Sequence, residues 1–269
     1  MLTFDKEYFN LGYLDSLSYK DTFIHRLDPR IKLILSFIFI ITVVSFPKYE
    51  ISGLFPFFLF PVLLSSLGDI PLKLIAKKIL VVSPFALFVG IFNPLLDTKV
   101  MYNIGGILIS GGWVSFFSVI IKFFLTIGAA LLLIATSSFP GICYSLQKIG
   151  IPEIFVSQLL FLYRYIFVLM EETMKIVRAR NMRSFEKNGL GVKVFINLIG
   201  ILFIRTLERS EQIYQSMLSR GFKGRIETIK EYRISRADIF FAAITLTAFY
   251  LLRKYNLTWI FGNLIKGVM

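Results

Sequence analysis

Two short arginine clusters, about forty residues apart, are the parts of this sequence best equipped to do chemistry. The first is Ala179-Arg180-Asn181-Met182-Arg183-Ser184 and the second is Ser219-Arg220-Gly221. A guanidinium is planar, permanently charged and forked, so it grips carboxylates or carbonyls of a partner in a fixed geometry. The same residues also suit a plain helix end. Arginine in a last turn complements the helix dipole, and glycine just beyond it stops the helix. Either reading fits one motif taken alone, and the pairing of two such ends within one basic region favours a gripping surface.

Other catalytic patterns are missing from the sequence. No glycine-rich loop ends in Lys-Ser/Thr, so ATP is not held in that way, and there is neither a His-Glu-x-x-His motif nor a serine elbow. The single histidine, His25, stands just before Asp28 and reads as a solvated or capping residue. The single cysteine, Cys143, allows no intrachain disulfide and no thiolate metal cluster, and it reads as a buried, inert thiol. Lys122 and Arg164 fall in apolar stretches, where an ionisable group is either functional or snorkels to the edge. The apolar runs hold no buried carboxylate of the kind a proton-relay pump needs. The chain therefore reads as no enzyme, with no cofactor and no bound metal.

The elements that must position the arginines follow from composition. Of 269 residues, 56% are hydrophobic, and the mean hydropathy is +0.71. A soluble domain is typically about 45–50% apolar. The excess is clustered in runs long enough to cross a bilayer, and the 29 phenylalanines suit lipid-facing helices. The expected spans are 31–46, 51–67 kinked at Pro56 and Pro61, 79–96 interrupted at Pro84, 114–139, and 239–252. Asp28-Pro29 reads as the start of the first, with Arg30 and Lys32 snorkelling at its edge. The residues before 30 are polar and show no cleavable signal pattern. The lysine-rich loop 68–78 is expected inside and the glycine-containing loop 97–113 outside, which places the N-terminus in the cytoplasm. By the same rule Arg253-Lys254 would face outward, a conflict the sequence leaves standing.

Between Glu171 and Arg236, Lys and Arg outnumber Glu two to one and Asp is absent. The positive-inside rule accounts for this charge without nucleic acid. Met170, Met174, Val177, Asn181 and Phe185 recur at helical spacing, with Glu171, Glu172, Lys175, Arg178 and Arg183 on other faces. Helices of this kind are expected at or below the membrane surface. The reading is an all-α integral membrane protein with about five transmembrane helices plus amphipathic cytoplasmic coupling helices. Its parts are a cytoplasmic leader 1–30, a transmembrane region 31–139, a coupling module 140–236, and a C-terminal span and tail 237–269.

Three stretches resemble the T component of energy-coupling factor transporters, the EcfT/CbiQ family. They are His25-Arg26-Leu27-Asp28-Pro29-Arg30-Ile31-Lys32-Leu33, the run from Phe139-Pro140 through Gly150-Ile151-Pro152 and Tyr163-Arg164-Tyr165 to Arg178-Ala179-Arg180, and Arg205 to Phe222. The chain departs from the family pattern at Ser184, where a glycine is usual, and at Ser219, where an alanine is usual. The resemblance implies that the arginine-tipped helices insert into grooves on two cytoplasmic ABC-type ATPase subunits, while a separate membrane S component captures a micronutrient such as cobalt, nickel or a vitamin. Arg180, Arg183 and Arg220 would then be coupling contacts, with Ala179, Ser184, Ser219 and Gly221 permitting close approach. A free-standing channel or secondary transporter, active without an ATPase, is the rival reading. An intramembrane enzyme is a third.

Overall fold

The computed structural model describes residues 17–97, 100–104, 107–183, 192–222, 224 and 232–255. It divides into two units: Asp15–Ser138 with Tyr232–Met269, and Phe139–Glu231 with Met1–Leu14. The described residues are overwhelmingly helical, as an all-α membrane protein requires.

In the first unit, α1 (Phe23–Arg26) is followed by α2 (Pro29–Val44). The Asp28 carboxylate accepts the Arg30 amide at 2.9 Å and Pro29 fills the first helical position, which is the start that Asp-Pro predicts. Pro29, Lys32, Leu35, Phe39 and Val43 recur every three or four residues and are buried. Ile34, Phe37, Ile41 and Val44 repeat on the opposite side and are exposed. A helix apolar on both faces suits lipid rather than water. Phe39 is fully buried among Phe57, Phe60 and Phe249, with ring centroids 6.0, 4.6 and 5.4 Å away. The phenylalanine bias therefore serves an internal aromatic core as well as the lipid-facing surface.

A 3-10 helix (Ser52–Phe58) runs into α3 (Leu59–Leu67). Pro56 and Pro61 remove backbone donors from this stretch, which fits its tighter winding and the expected irregularity. Pro84 lies inside α4 (Leu72–Gly90) and cannot donate to the Leu80 carbonyl. The Ser83 hydroxyl donates to that carbonyl instead, at 2.8 Å. This is the local repair that lets proline persist in an apolar helix.

After α5 (Phe92–Leu96), β1 (Val100–Ile104) and β2 (Ile107–Ser110) pair antiparallel. The sequence predicts an irregular loop here; a short hairpin forms instead, and it is the one departure from all-helical structure among the described residues. α6 (Gly111–Thr136) packs against α2, α3, α4 and α5. Its buried positions are mostly small (Ser115, Ser118, Gly128, Ala129 and Ala135), which lets helix backbones approach closely.

α10 (Arg236–Lys254) closes this unit against α2. Its Asp238 carboxylate accepts two amides: Ser235 N–H at 2.7 Å, as a helix cap, and Asp28 N–H at 2.9 Å. Both aspartates are buried. Arg30 forms a forked pair with Asp28, the shortest contact being 2.8 Å, and reaches the Tyr232 carbonyl at 3.1 Å. Lys32 is buried and donates to the Thr136 carbonyl at 2.7 Å. The expected snorkelling is therefore corrected. Lys32 turns inward to the carbonyl that ends α6, and Arg30 turns to the Asp28 carboxylate at the start of α2 and to the Tyr232 carbonyl ahead of α10.

The second unit contains α7 (Phe139–Ile149), α8 (Glu153–Arg183) and α9 (Val192–Ser219). Phe139 stacks on Tyr163 with ring centroids 4.5 Å apart, fastening α7 to α8. By length and composition, Leu72–Pro94, Gly111–Thr136 and Glu153–Arg180 can each cross a membrane. The third falls in the region that charge alone assigns to the membrane surface. Its first half is apolar and its second half charged, so the two signals belong to different parts of one helix.

Candidate functional site

The first arginine cluster lies on the last turns of α8. Ala179 is exposed, Arg180 is half-buried and Arg183 is the final helical residue. Ser184 lies outside the described residues. Along the preceding turns Met170, Met174 and Val177 are half-buried, while Glu171, Lys175 and Arg178 are exposed. The amphipathic spacing expected from the sequence is present at these positions, but Glu172 is half-buried like the apolar set, and Phe185 and the side chains of Asn181 and Arg183 lie outside what the structure describes. Glu171 and Lys175 form the anticipated i,i+4 pair at 2.9 Å, an exposed contact that solvent largely screens.

The second cluster terminates α9. Phe222 N–H donates to the Met217 carbonyl at 3.0 Å and Gly221 N–H to Leu218 at 2.9 Å. Together with Gly221 at φ 81°, these bonds make a Schellman motif. The Ser219 hydroxyl folds back on the Gln215 carbonyl at 2.9 Å. Arg220 therefore occupies the capping position itself, exposed, with its backbone fixed on both sides. A Cβ added to Gly221 would meet nothing within 4 Å, so glycine serves conformation here rather than fit within the chain.

α8 and α9 run antiparallel. Arg205 pairs with Glu172 at 3.1 Å, and Phe222 at the end of α9 meets Phe161, ring centroids 6.0 Å apart. This register separates the clusters. Arg220 shares a hollow of about 520 Å³ with Arg164 and Arg209, whereas Arg180 is not among the described residues that line it. The helical rise from Arg164 to Arg180 is roughly 24 Å. The two arginine ends therefore sit far apart on one pair of helices, a relationship that sequence spacing alone does not give. Arg164 was legible as an ionisable residue in an apolar stretch and Arg209 as part of the stretch Arg205 to Phe222, but their shared hollow depends on how α8 and α9 pack.

His25 contributes to no such surface. Its Nε2 lies 3.3 Å from the Ala135 carbonyl and its Nδ1 lies 2.7 Å from the Thr22 hydroxyl. A carbonyl can only accept, so Nε2 carries the proton and Nδ1 accepts from Thr22. His25 is thus a clip on the end of α6 rather than a solvated residue. Cys143 is buried within α7, and burial pushes its thiol up to about 11.

Residues 20–232 match the family model CbiQ, described as a cobalt transport protein. The energy-coupling factor transporter transmembrane protein EcfT of Leuconostoc gelidum subsp. gasicomitatum is 29% identical over 261 residues, covering 90% of this chain and 96% of that protein. Its counterpart in Bacillus subtilis is 27% identical over 220 residues, covering 75% and 81%. An uncharacterised protein of Methanocaldococcus jannaschii is 30% identical over 243 residues, covering 85% and 82%.

Proposed function

Because the chain belongs to the EcfT/CbiQ family, we propose that it is the transmembrane coupling (T) subunit of an energy-coupling factor importer, transmitting ATP-driven motion of two cytoplasmic ATPase subunits to a membrane-embedded, substrate-binding S component. On this reading the chain is a non-catalytic, multi-pass subunit of the cytoplasmic membrane with its N-terminus inside. The cargo is a micronutrient, either a cobalt or nickel ion or a vitamin.

The observation that carries the reading is the separation of the two arginine ends on one braced pair of antiparallel helices. Two motor subunits need two handles, and handles roughly 24 Å apart along a helix can be moved relative to one another. The Arg205–Glu172 bridge and the aromatic contact of Phe222 tie α8 to α9. Closure of the ATPase pair would then displace the helices as rigid rods instead of bending one locally. Arg180, Arg183 and Arg220 would grip carboxylates or carbonyls in the ATPase grooves. Ala179, Ser184, Ser219 and Gly221, all small, would let the backbones come close.

The test is the double charge reversal Arg180→Glu with Arg220→Glu. Loss of ATPase co-purification and of uptake, in a protein that still inserts and unfolds at the wild-type temperature, is the expected result. Undiminished co-purification and uptake would refute the coupling role. Uptake by the purified chain alone in liposomes would instead favour a self-sufficient transporter.

A further inference from the structure

The hollow holding Arg164, Arg209 and Arg220 does not stand alone. It adjoins a larger groove of about 880 Å³ between α8 and α9. Tyr165, Val168, Arg209, Ile213 and Met217 line both spaces, which lie side by side. The groove beyond them is walled mainly by apolar side chains, including Phe161, Leu169, Leu207 and Leu218. The arginine end adds Gln212 and Ser216 as neutral hydrogen-bonding groups.

Among the described residues, Arg164 and Arg220 form no ion pair. Arg209 feels the Glu171 carboxylate, but Glu171 is already bonded to Lys175 at 2.9 Å. Three guanidiniums thus line one hollow, and among the described residues no carboxylate lines it with them. Mutual repulsion makes such a cluster unfavourable unless an anion shares it. The hollow therefore asks for a strong anionic acceptor, and the groove beside it for a hydrocarbon chain. A free phosphate would leave the groove empty, and a fatty chain alone would leave the arginines unsatisfied.

We propose that the hollow and the adjoining groove between α8 and α9 form a binding site for one anionic phospholipid, its phosphate held by Arg164, Arg209 and Arg220 and an acyl chain lying along Phe161, Ile213 and Leu218. Forked guanidinium donors match phosphate oxygens. A zwitterionic lipid carries the same phosphate, but its ammonium cancels the charge that the three arginines select. The inference does not rest on the proposed ATPase contact, because Arg164 and Arg209 take no part in it. It nevertheless makes Arg220 a residue that lipid and motor would share.

The test uses the full chain, purified in neutral detergent and titrated with phosphatidylglycerol or phosphatidylcholine of matched acyl chains, with bound lipid counted by native mass spectrometry. One phosphatidylglycerol should be retained on the order of tenfold more tightly than phosphatidylcholine. R164Q/R209Q should lose on the order of tenfold or more in that affinity, while R164K/R209K, which keeps both charges, should retain most of it. Millimolar inorganic phosphate should fail to displace the lipid. Equal retention of the two lipids by the wild-type chain would overturn the proposal, whatever the variants do. So would unchanged binding by a folded R164Q/R209Q, or complete displacement by inorganic phosphate, which would mark a site for a free anion.

Discussion

Lys122 extends its ammonium to 2.6 Å from the carbonyl oxygen of Phe46, just past the C-terminal end of α2 and 76 residues away in sequence. Arg253 reaches the same place, donating to the Ser45 carbonyl at 3.2 Å and lying over the Phe46 ring at 3.9 Å from its centroid. The last carbonyls of a helix have no intrahelical donor, and cations there also oppose the negative end of the dipole. Replacing Lys122 by Met should lower stability by about 1–2 kcal/mol, read as a fall in the thermal unfolding temperature in detergent. Lys122→Arg should retain most of it. An unchanged midpoint for the methionine variant would show that the contact contributes nothing.

Gly221 holds the left-handed conformation that closes α9. Gly221→Ala should cost about 1 kcal/mol, and Gly221→Asn less, because asparagine tolerates that region better. The space around it is open, so the loss reflects backbone strain and not a clash. If alanine and asparagine proved equally neutral in thermal unfolding, the turn would not be under conformational control.

A pH dependence follows from His25. Burial, the largest influence, pulls its imidazole below the ordinary 6.5; the Ala135 hydrogen bond acts in the opposite direction, and Lys32 and Lys20 push downward. A base with a depressed folded-state pKa is bound in its neutral form. Its contribution is therefore complete above about pH 6.5 and is lost as pH falls through that value, where the unfolded chain takes up the proton first. His25 is the only histidine. The wild-type melting temperature should accordingly fall more steeply than that of His25→Gln between about pH 7 and pH 5. Parallel curves would contradict the assignment.

Cys143 should resist alkylation. With its thiol near 11, only about 0.1% is thiolate at pH 8, and the side chain is almost wholly covered. Maleimide should leave the native protein unlabelled over minutes and modify it fully in denaturing detergent. Rapid labelling of the native chain would place Cys143 at an accessible surface.

The helices were largely legible from sequence because apolar runs and proline positions act locally. Asp28-Pro29 announced α2, and the run 114–139 announced α6 to within a few residues at either end. Less legible was whatever depends on distant backbone. Nothing near Lys32 reveals that the Thr136 carbonyl awaits it, and nothing near Arg253 reveals the exposed end of α2. At Arg253, which the positive-inside rule leaves in conflict, the structure shows a local use of the cation as a cap on a helix end. The hairpin at 100–110 escaped because its glycines read equally well as a loop. At the candidate site, the amphipathic spacing and the arginine ends were visible, but the antiparallel register that sets Arg180 apart from Arg220 was not.

The amide of Asp28 is synthesised 210 residues before the carboxylate of Asp238 that receives it, and the ammonium of Lys32 precedes the Thr136 carbonyl by 104. A nascent chain must therefore carry these polar groups in water while helix after helix enters the bilayer. The beginning of the first long helix is finished only when the final one arrives. A chain shortened before Asp238 would come apart at its opposite end, leaving a buried donor without an acceptor near residue 28.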